Sequence, residues 1–420
     1  MSSQVTIRVR QSTPAFVGYY EPELIDTTYF LRPTSIKGIW RWFARAVVAG
    51  ALYDSNLLCG KEDKNVVRRP TDFEVKAISR IVGEKMGLGY SSGSKMGGVS
   101  KYKIRVEVVR RPQERSASSR RVWLDGRVRE LQRIGLLTIH RKDEPPPKLA
   151  YFLNGEFNII IEPDSRLPSA SRELALRTLL LSLSLSGIGK GSRRALGSLD
   201  VIRVEGLSIE RDMKSFLSKT RELALQLVKD NARLEKCKEE HLPPMPSIAS
   251  RKVSNDLYAF QLYRTSNMNW EDIHNFFLRS IRCKKITGNF NCQDDLRRNL
   301  EAWILGLPRK QKPPGHGSDY TGYGMDKDVE RRASPIFIVY HGDSHWFKNG
   351  AGAYISVFVS GDWPKRIYWY GGYESDSQPL DVNDNGEKLS VKEDDIIQAT
   401  RHALQELGRY LNKKPHGVWP

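Results

Sequence analysis

A glycine-rich segment, GIGKGSRRALG, constrains the fold of this 420-residue chain more than any other part of its sequence. The segment follows a leucine- and alanine-rich helical stretch, Ser169 to Ser186, and leads into a strand-like stretch, Leu199 to Val204. Walker and Rossmann loops run in the opposite order, from strand to helix, so that a helix N-terminus faces the phosphates. The order seen here therefore argues against a nucleotide or dinucleotide site.

The residue types of this loop suit contact with a nucleic-acid backbone. Glycines let the main chain adopt positive φ angles and approach a ligand closely, and cations supply charge for phosphate. The alternative is a glycine-rich turn that only ends the helix. The loop residues predicted to bind nucleic acid are Gly187, Gly189, Lys190, Gly191, Arg193 and Arg194.

The first half of the chain has the element order strand, helix, strand, strand, helix, strand. Apolar alternation at Val5 to Val9 and at Tyr102 to Val109, and an apolar run at Glu156 to Ile161, predict three of the strands. This order is typical of the α+β ferredoxin-like plan, an antiparallel sheet with two helices on one face.

The second half indicates another sheet-and-helix domain, although its element order is less clear. Strands are predicted at 257–263, 336–340 and 354–359, and helices at 269–282, 294–305 and 393–411. The predicted division is an N-terminal ferredoxin-like domain at 1–206, a helical connection with a proline-rich joint at 207–246, and a C-terminal domain at 247–420. The helix of the connection is predicted from Glu210 to about His241.

The first predicted helix carries a line of cations. Thr34 and Ser35 are its predicted N-caps, and it runs to about Leu52. Trp42 lies nearer to the cationic line than Trp40 does, so Trp42 is predicted to stack on a base and Trp40 to lie in the core. The cations recur every four residues, which places them on one face, and they are Lys37, Arg41 and Arg45.

The charge of the chain favours a polyanionic partner. Lysine and arginine outnumber aspartate and glutamate by 67 to 49, which gives a net charge of +18. Lys101 to Lys142 is the most basic region, with thirteen lysines or arginines against four acidic residues. A solvated surface and a nucleic-acid contact are equally good interpretations of this region.

Other classes of protein are disfavoured by the sequence. The sequence contains no stretch of eighteen apolar residues that could span a membrane. It begins with a strand-like alternation instead of the apolar run of a signal peptide, so a cytoplasmic protein is expected. The cysteines show no metal-site or secreted-scaffold spacing, so they are expected to be reduced thiols. They are Cys59, Cys237, Cys283 and Cys292.

The sequence predicts no catalytic residues, no metal and no cofactor. His140 is the best single candidate for acid–base work in the first half, against an ordinary surface histidine. His316 and the pair His341 and His345, with Asp319 or Asp343, are a candidate metal site. The HxxxH spacing of the pair would suit a helix, but YHGDSHW is predicted to be a turn after a strand.

Four segments resemble the RAMP superfamily of CRISPR proteins. The ferredoxin-like order that closes in GIGKGSRRALGSL looks like the glycine-rich loop between last helix and last strand that defines this superfamily. LRPTSIKGIWRWFARA, Leu31 to Ala46, is similar to the helix-one signature of the first-numbered subunit family of type III-B Cmr effector complexes. LGLPRK at Leu305 to Lys310 and RRASPIFI at Arg331 to Ile338 resemble the segment by which that family's second RAMP-like domain is recognised.

The resemblance implies two ferredoxin-like domains with helical insertions, acting as a non-catalytic scaffold. Its partners would be guide RNA near the 3′ end, target RNA and other RAMP subunits. Two other functions stay open on the sequence alone, a metal-independent endoribonuclease that processes guide RNA and a general RNA-binding module outside CRISPR.

Overall fold

The computed structural model describes most of the chain. The described residues are 4–18, 23–90, 98–117, 121–124, 126–131, 134, 148–266, 268–275, 296, 301–307, 309–311, 321–325, 332–347, 350–370, 387–411 and 415–420. Within them, no helix combines the length and the apolar character needed to cross a lipid bilayer.

The first sheet has the order β2-β7-β1-β8, and every neighbouring pair is antiparallel. Two helices connect these strands, one between the first and second strands of the sheet along the chain, the other between the third and fourth. Numbered in chain order within the sheet, the strands lie as 2-3-1-4, which is the ferredoxin-like order. The elements are β1 (Val5–Gln11), α1 (Pro33–Asp54), β2 (Tyr102–Arg110), β7 (Glu156–Pro163), α3 (Ser169–Leu185) and β8 (Leu199–Glu205).

The second sheet repeats this plan with the order β12-β13-β9-β16. In chain order its strands again lie as 2-3-1-4, so the fold class of two ferredoxin-like α+β domains is confirmed. The last strand, β16, was not predicted from the sequence. The elements are β9 (Phe260–Ser266), α5 (Trp270–Asn275), β12 (Ile336–His341), β13 (Gly352–Phe358), α6 (Glu393–Tyr410) and β16 (His416–Trp419).

Shorter elements fill the connections. Strands β3 and β6 pair with each other, as do β4 and β5, and a third four-stranded sheet has the order β10-β11-β14-β15. They are α2 (Asp72–Arg80) with a π-helical turn (Ile81–Lys85), β3 (Gln113–Ala117), β4 (Arg121–Leu124), β5 (Arg127–Glu130), β6 (Leu149–Leu153), α4 (Met213–Asn231), a 3-10 turn (Ala302–Leu305), β10 (Arg309–Gln311), β11 (Thr321–Met325), β14 (Arg366–Tyr370) and β15 (Glu387–Ser390).

A shared layer of helices lies between the two main sheets. Phe260, Phe337 and Phe358 of the second sheet belong to the same buried cluster as the apolar residues of α1, α3 and α4. The other face of the second sheet, which includes Ile338 and Ile355, packs with α6 in a separate cluster. All seven residues of β13 are buried for this reason, since both of its faces are covered.

Two helix boundaries differ from the sequence predictions. Helix α1 has Arg32 as its N-cap, with Pro33 in the first turn and no side-chain cap, so Thr34 and Ser35 are not caps. Proline fits this position because its fixed φ angle is helical and its missing N–H is not needed there. Helix α4 begins after Asp212, whose carboxylate accepts a hydrogen bond from the Ser215 backbone at 2.8 Å, and it ends at Asn231 rather than near His241.

A disulfide corrects the prediction of reduced cysteines. Cys59 and Cys237 are bonded across a sequence separation of 178, with their Cα atoms 5.3 Å apart. Asn56 exchanges two hydrogen bonds with the Cys237 backbone beside it. The bond therefore fastens the segment after α4 to the end of α1, and no spacing rule could have paired two cysteines so far apart. Cys283 and Cys292 lie outside the described residues.

Reduction of this disulfide should destabilise the protein. Closure of a loop of 178 residues stabilises a folded chain by about 5 kcal/mol through the entropy of the unfolded state. We expect reductant to lower the urea midpoint of the wild-type protein, measured by circular dichroism. A Cys59→Ser/Cys237→Ser double variant should not respond to reductant, and an equal response in both proteins would contradict the assignment.

Candidate nucleic-acid interface

Helix α1 has one solvent-facing stripe because its two flanks are buried. The Trp40 ring packs against Tyr102 of the first sheet with 4.9 Å between ring centroids, and its indole N–H donates to Ala175 and Thr178 of α3. The Trp42 ring faces the second sheet, 5.1 Å from Phe337. The helix surface left between these flanks carries the predicted cations.

Lys37, Arg41 and Arg45 concentrate positive charge on this stripe. Lys37 and Arg41 are half-buried and Arg45 is exposed. The Arg41 guanidinium donates two hydrogen bonds to the Leu88 carbonyl, at 3.0 and 2.8 Å, which fixes its position. Within the described part of the chain none of the three forms an ion pair with a carboxylate. We refer to Lys37, Arg41 and Arg45 as the α1 cationic line.

The electrostatics of the α1 cationic line favour an anion. Partial burial and the neighbouring charge of Arg41 lower the pKa values of Lys37 and Arg45 from their ordinary values. Successive cations are separated by one helical turn, about 6 Å along the axis. A phosphate chain that lay along the helix would relieve the repulsion among them.

The glycines of the predicted loop are needed by the fold itself. A Cβ atom at Gly187 would lie 2.0 Å from the Leu196 carbonyl oxygen, and one at Gly197, which has a φ of +64°, 2.0 Å from that of Ile188. Gly189 has a φ of +84° and lies against Phe16. The loop is folded on itself and against the segment after β1, so close main-chain packing accounts for its glycines without a ligand.

The same loop joins the two domains. The backbone of Arg193 to Ala195 runs beside β12, the edge strand of the second sheet, and exchanges hydrogen bonds with Ile338 at 2.8 and 3.1 Å. The loop thus extends the second sheet by one short strand. Its tip remains open to solvent, with Gly189 and Lys190 exposed and Gly191 to Arg193 half-buried.

Arg194 has a structural role, and its burial argues against the RNA contact, which stays a prediction. Its side chain is buried, with only 7% of the residue exposed. The guanidinium donates to the Ile336 carbonyl at 2.5 Å and to the Leu305 carbonyl at 3.4 Å, both in the second domain. A charged group enclosed in this way is held by carbonyl dipoles and cannot reach an external phosphate.

Arg193 and Trp42 meet at the edge of the α1 cationic line. The Arg193 guanidinium lies 4.3 Å from the Phe337 ring and 5.8 Å from the Trp42 ring, and it donates to the Ser334 carbonyl. Burial and the charge of Arg332 lower the Arg193 pKa to about 10. The fold therefore brings the glycine-rich loop and helix α1 together. These protein contacts account for Trp42 without a base, and its stacking role stays a prediction.

The described strands of the basic region at 101–142 lie at the outer edge of the first domain. Strand β2 is the edge strand, and the pair β4 and β5 exposes Trp123 and Val128, which face each other across the ladder. Sequence reasoning missed these two residues, although the Asp-Gly dipeptide before Arg127 is a hairpin signal. His140 lies outside the described residues.

The open face of the first sheet is less suited to RNA. Its arginines are paired with acids on the same face, so little free positive charge remains. The pairs are Arg8 with Glu156 at 2.6 Å, Arg105 with Glu107 at 3.2 Å and Arg203 with Glu205 at 2.6 Å.

Asp200, His341 and His345 form the group with metal-ligand chemistry in the described part of the chain. The imidazole rings are stacked in parallel, 3.7 Å apart, so their in-plane lone pairs do not converge on one point. Three of the four ring nitrogens are already hydrogen-bonded to protein groups. This arrangement fits an interdomain hydrogen-bond cluster better than a metal centre. The sequence indicated the two histidines as candidate ligands, but not Asp200.

Arg194 should contribute to stability and Lys190 should not. Arg194→Met removes buried hydrogen bonds from a charged donor, each contributing roughly 1.5–3 kcal/mol, so the free energy of unfolding should fall by about 3 kcal/mol. Lys190→Met at the exposed tip should change it by less than about 0.5 kcal/mol. Urea titration of both variants tests this, and equal midpoints would contradict the structural role of Arg194.

The first half of the chain matches a model of a known protein family. The family model of the RAMP superfamily matches residues 12–200, which include α1 and the glycine-rich loop. No curated protein sequence matches the chain.

Similar solved structures cover nearly the whole chain. The crystal structure of apo Cmr1 from Pyrococcus furiosus is 18% identical, with 99% of this chain and 98% of that chain covered and a TM-score of 0.46. A chain in a cryo-EM structure of the type III-B Cmr-beta complex bound to cognate target RNA is 14% identical, with 95% and 99% covered and a TM-score of 0.47. Over residues 12–200, which span most of the first ferredoxin-like sheet and its helices, the chain is similar to the RAMP superfamily.

Proposed function

We propose that this protein is a non-catalytic RNA-binding subunit of a type III-B CRISPR (Cmr) antiviral effector complex. It binds guide RNA near the 3′ end and aids the capture of target RNA. The observation that carries the proposal is the α1 cationic line, three cations without carboxylate partners in the described structure, on the exposed stripe of the helix that both domains share.

The segments that resemble the first-numbered Cmr subunit family are neighbours in the fold. LRPTSIKGIWRWFARA contains nearly the first four turns of α1 and the whole α1 cationic line. The other two segments pair with each other, because the Leu307 N–H donates to the Arg332 carbonyl at 2.7 Å. They also enclose Arg194 of the glycine-rich loop, whose guanidinium reaches Leu305 and Ile336. The resemblance therefore falls on one continuous part of the molecule.

The contacts favour recognition of the RNA backbone over recognition of bases. Lys37, Arg41 and Arg45 offer charge and N–H donors to phosphates, with Lys190 at the loop tip as a further donor. Phosphate contacts are insensitive to sequence and weaken as salt rises, because bound counterions are released. This is the behaviour expected of a subunit that must accept any guide sequence.

Removal of the α1 cationic line should weaken RNA binding and its salt dependence. We expect Lys37→Ala/Arg41→Ala/Arg45→Ala to reduce the magnitude of the slope of log K against log salt by about 2, since each phosphate contact on a single strand contributes about 0.7. Affinity at low salt should fall at least tenfold. Fluorescence anisotropy with labelled guide RNA from 50 to 300 mM salt measures both quantities.

A matched control distinguishes the effect of a local binding site on affinity from the effect of total charge. Lys214→Ala/Lys219→Ala/Lys229→Ala removes the same three charges from α4. This variant should keep the wild-type slope and affinity within about twofold. If both triple variants lost affinity equally, the surface would be a diffuse cationic coat and the proposed site would be wrong.

Two further experiments distinguish the rival functions. Purified protein incubated with repeat RNA and a chelator should not cut it, and specific cleavage that required His140 would replace the scaffold function by a nuclease. Pull-down from the host should recover guide RNA and other RAMP subunits. Recovery of unrelated RNA alone would place the protein outside CRISPR.

A further inference from the structure

The cluster of Asp200, His341 and His345 lies across the boundary between the two domains. Asp200 belongs to β8 of the first domain, His341 ends β12 of the second, and His345 follows in the next turn. All three are at most 3% exposed. Most buried polar groups are hydrogen-bonded, so the bonds that these residues make indicate their protonation.

The bonds of His341 assign it a positive charge. Its Nε2 lies 2.7 Å from the Ser184 carbonyl oxygen, which can only accept, so Nε2 carries a proton. Its Nδ1 lies 2.9 Å from a carboxylate oxygen of Asp200. That carboxylate already accepts hydrogen bonds from the Ser12 hydroxyl and the Gly342 backbone, as an ionised acid does. Nδ1 therefore donates as well, and the two groups form a buried ion pair.

The bonds of His345 assign it a neutral state. Its Nδ1 accepts a hydrogen bond from the Val201 backbone N–H at 3.1 Å, so this nitrogen carries no proton. Its ring stacks on the His341 ring at 3.7 Å. Tyr354 and Arg264 face it from β13 and β9. A second proton would thus place two cations in contact near Arg264 and break the bond to Val201.

We propose that His345 is a proton-sensitive latch between the two domains, closed while its ring is neutral and opened when Nδ1 is protonated. The latch is independent of RNA. It connects β8, which follows the glycine-rich loop, to the end of β12, beside which that loop runs. Opening would loosen the seam that also holds Arg193 and Ala195 against Ile338.

The sign of the pH dependence follows from the neutral folded state. Burial and the charge of His341 lower the His345 pKa well below its ordinary value. The unfolded chain therefore takes up one more proton than the folded protein at pH values below about 6.5. The latch stabilises the protein fully above this pH, and this contribution is lost as pH falls.

The test compares His345→Asn with the wild-type protein between pH 7.5 and 5. Asparagine can keep an acceptor near the Nδ1 position but cannot gain a proton. We expect the unfolding constant of the wild-type protein to rise about tenfold more per pH unit below about 6.5 than that of His345→Asn. The exposed His416, replaced by asparagine, is the matched control and should retain the wild-type profile. Parallel profiles for the wild-type protein and His345→Asn would overturn the latch.

A second measurement needs no variant. Hydrogen–deuterium exchange of the wild-type protein, corrected for intrinsic rates, should show protection at Val201 and Ile338 at pH 7.5 that is lost at pH 5, ahead of the core of the first sheet. Unchanged protection at pH 5 would overturn the proposal. An increase in thermal midpoint on addition of zinc, absent in His345→Asn, would also overturn it, because the ring nitrogens would then serve a metal.

Discussion

The structure depends on one constraint, the sharing of a single helical layer by two sheets. Residues of α1, α3 and α4 fill the core of the first domain and also bury one face of the second sheet. Neither domain buries all of its apolar surface without the other, since the apolar face of the second sheet would be open to water if the helices were removed. The two ferredoxin-like units are therefore one packing unit in this protein.

This constraint decides what is left for function. A helix packed on two sides keeps only a narrow stripe in contact with water, and in α1 that stripe is lined by Lys37, Arg41 and Arg45. The glycine-rich loop is limited by the same packing of two domains, because part of it lies against the second sheet. Its Arg193 to Ala195 part contacts the second domain, so a loop with the residue types of a ligand-binding element serves partly as a domain contact and keeps an exposed tip.

Much of the first domain could be predicted from its sequence because its signals are local. The alternation in β1, the apolar run in β7 and the helix-to-strand order around the glycine-rich loop each lie within a few residues. The contacts of Arg193, Arg194 and Trp42 with the second domain could not be predicted, because these partners lie more than a hundred residues away in the sequence. Cys59 with Cys237, and Asp200 with His341, were missed for the same reason, since only the folded chain brings them together.

The disulfide has a topological consequence for the strands and hairpins of the first domain. Cys59 and Cys237 enclose β2 to β8, the glycine-rich loop and α4 in one covalent ring. Any single break of the peptide chain inside the ring, such as a proteolytic nick beside the exposed β4 and β5 hairpin, leaves the two pieces covalently joined. The surface that carries the most basic stretch of the chain can thus be cut once without severing helix α1 from the second domain.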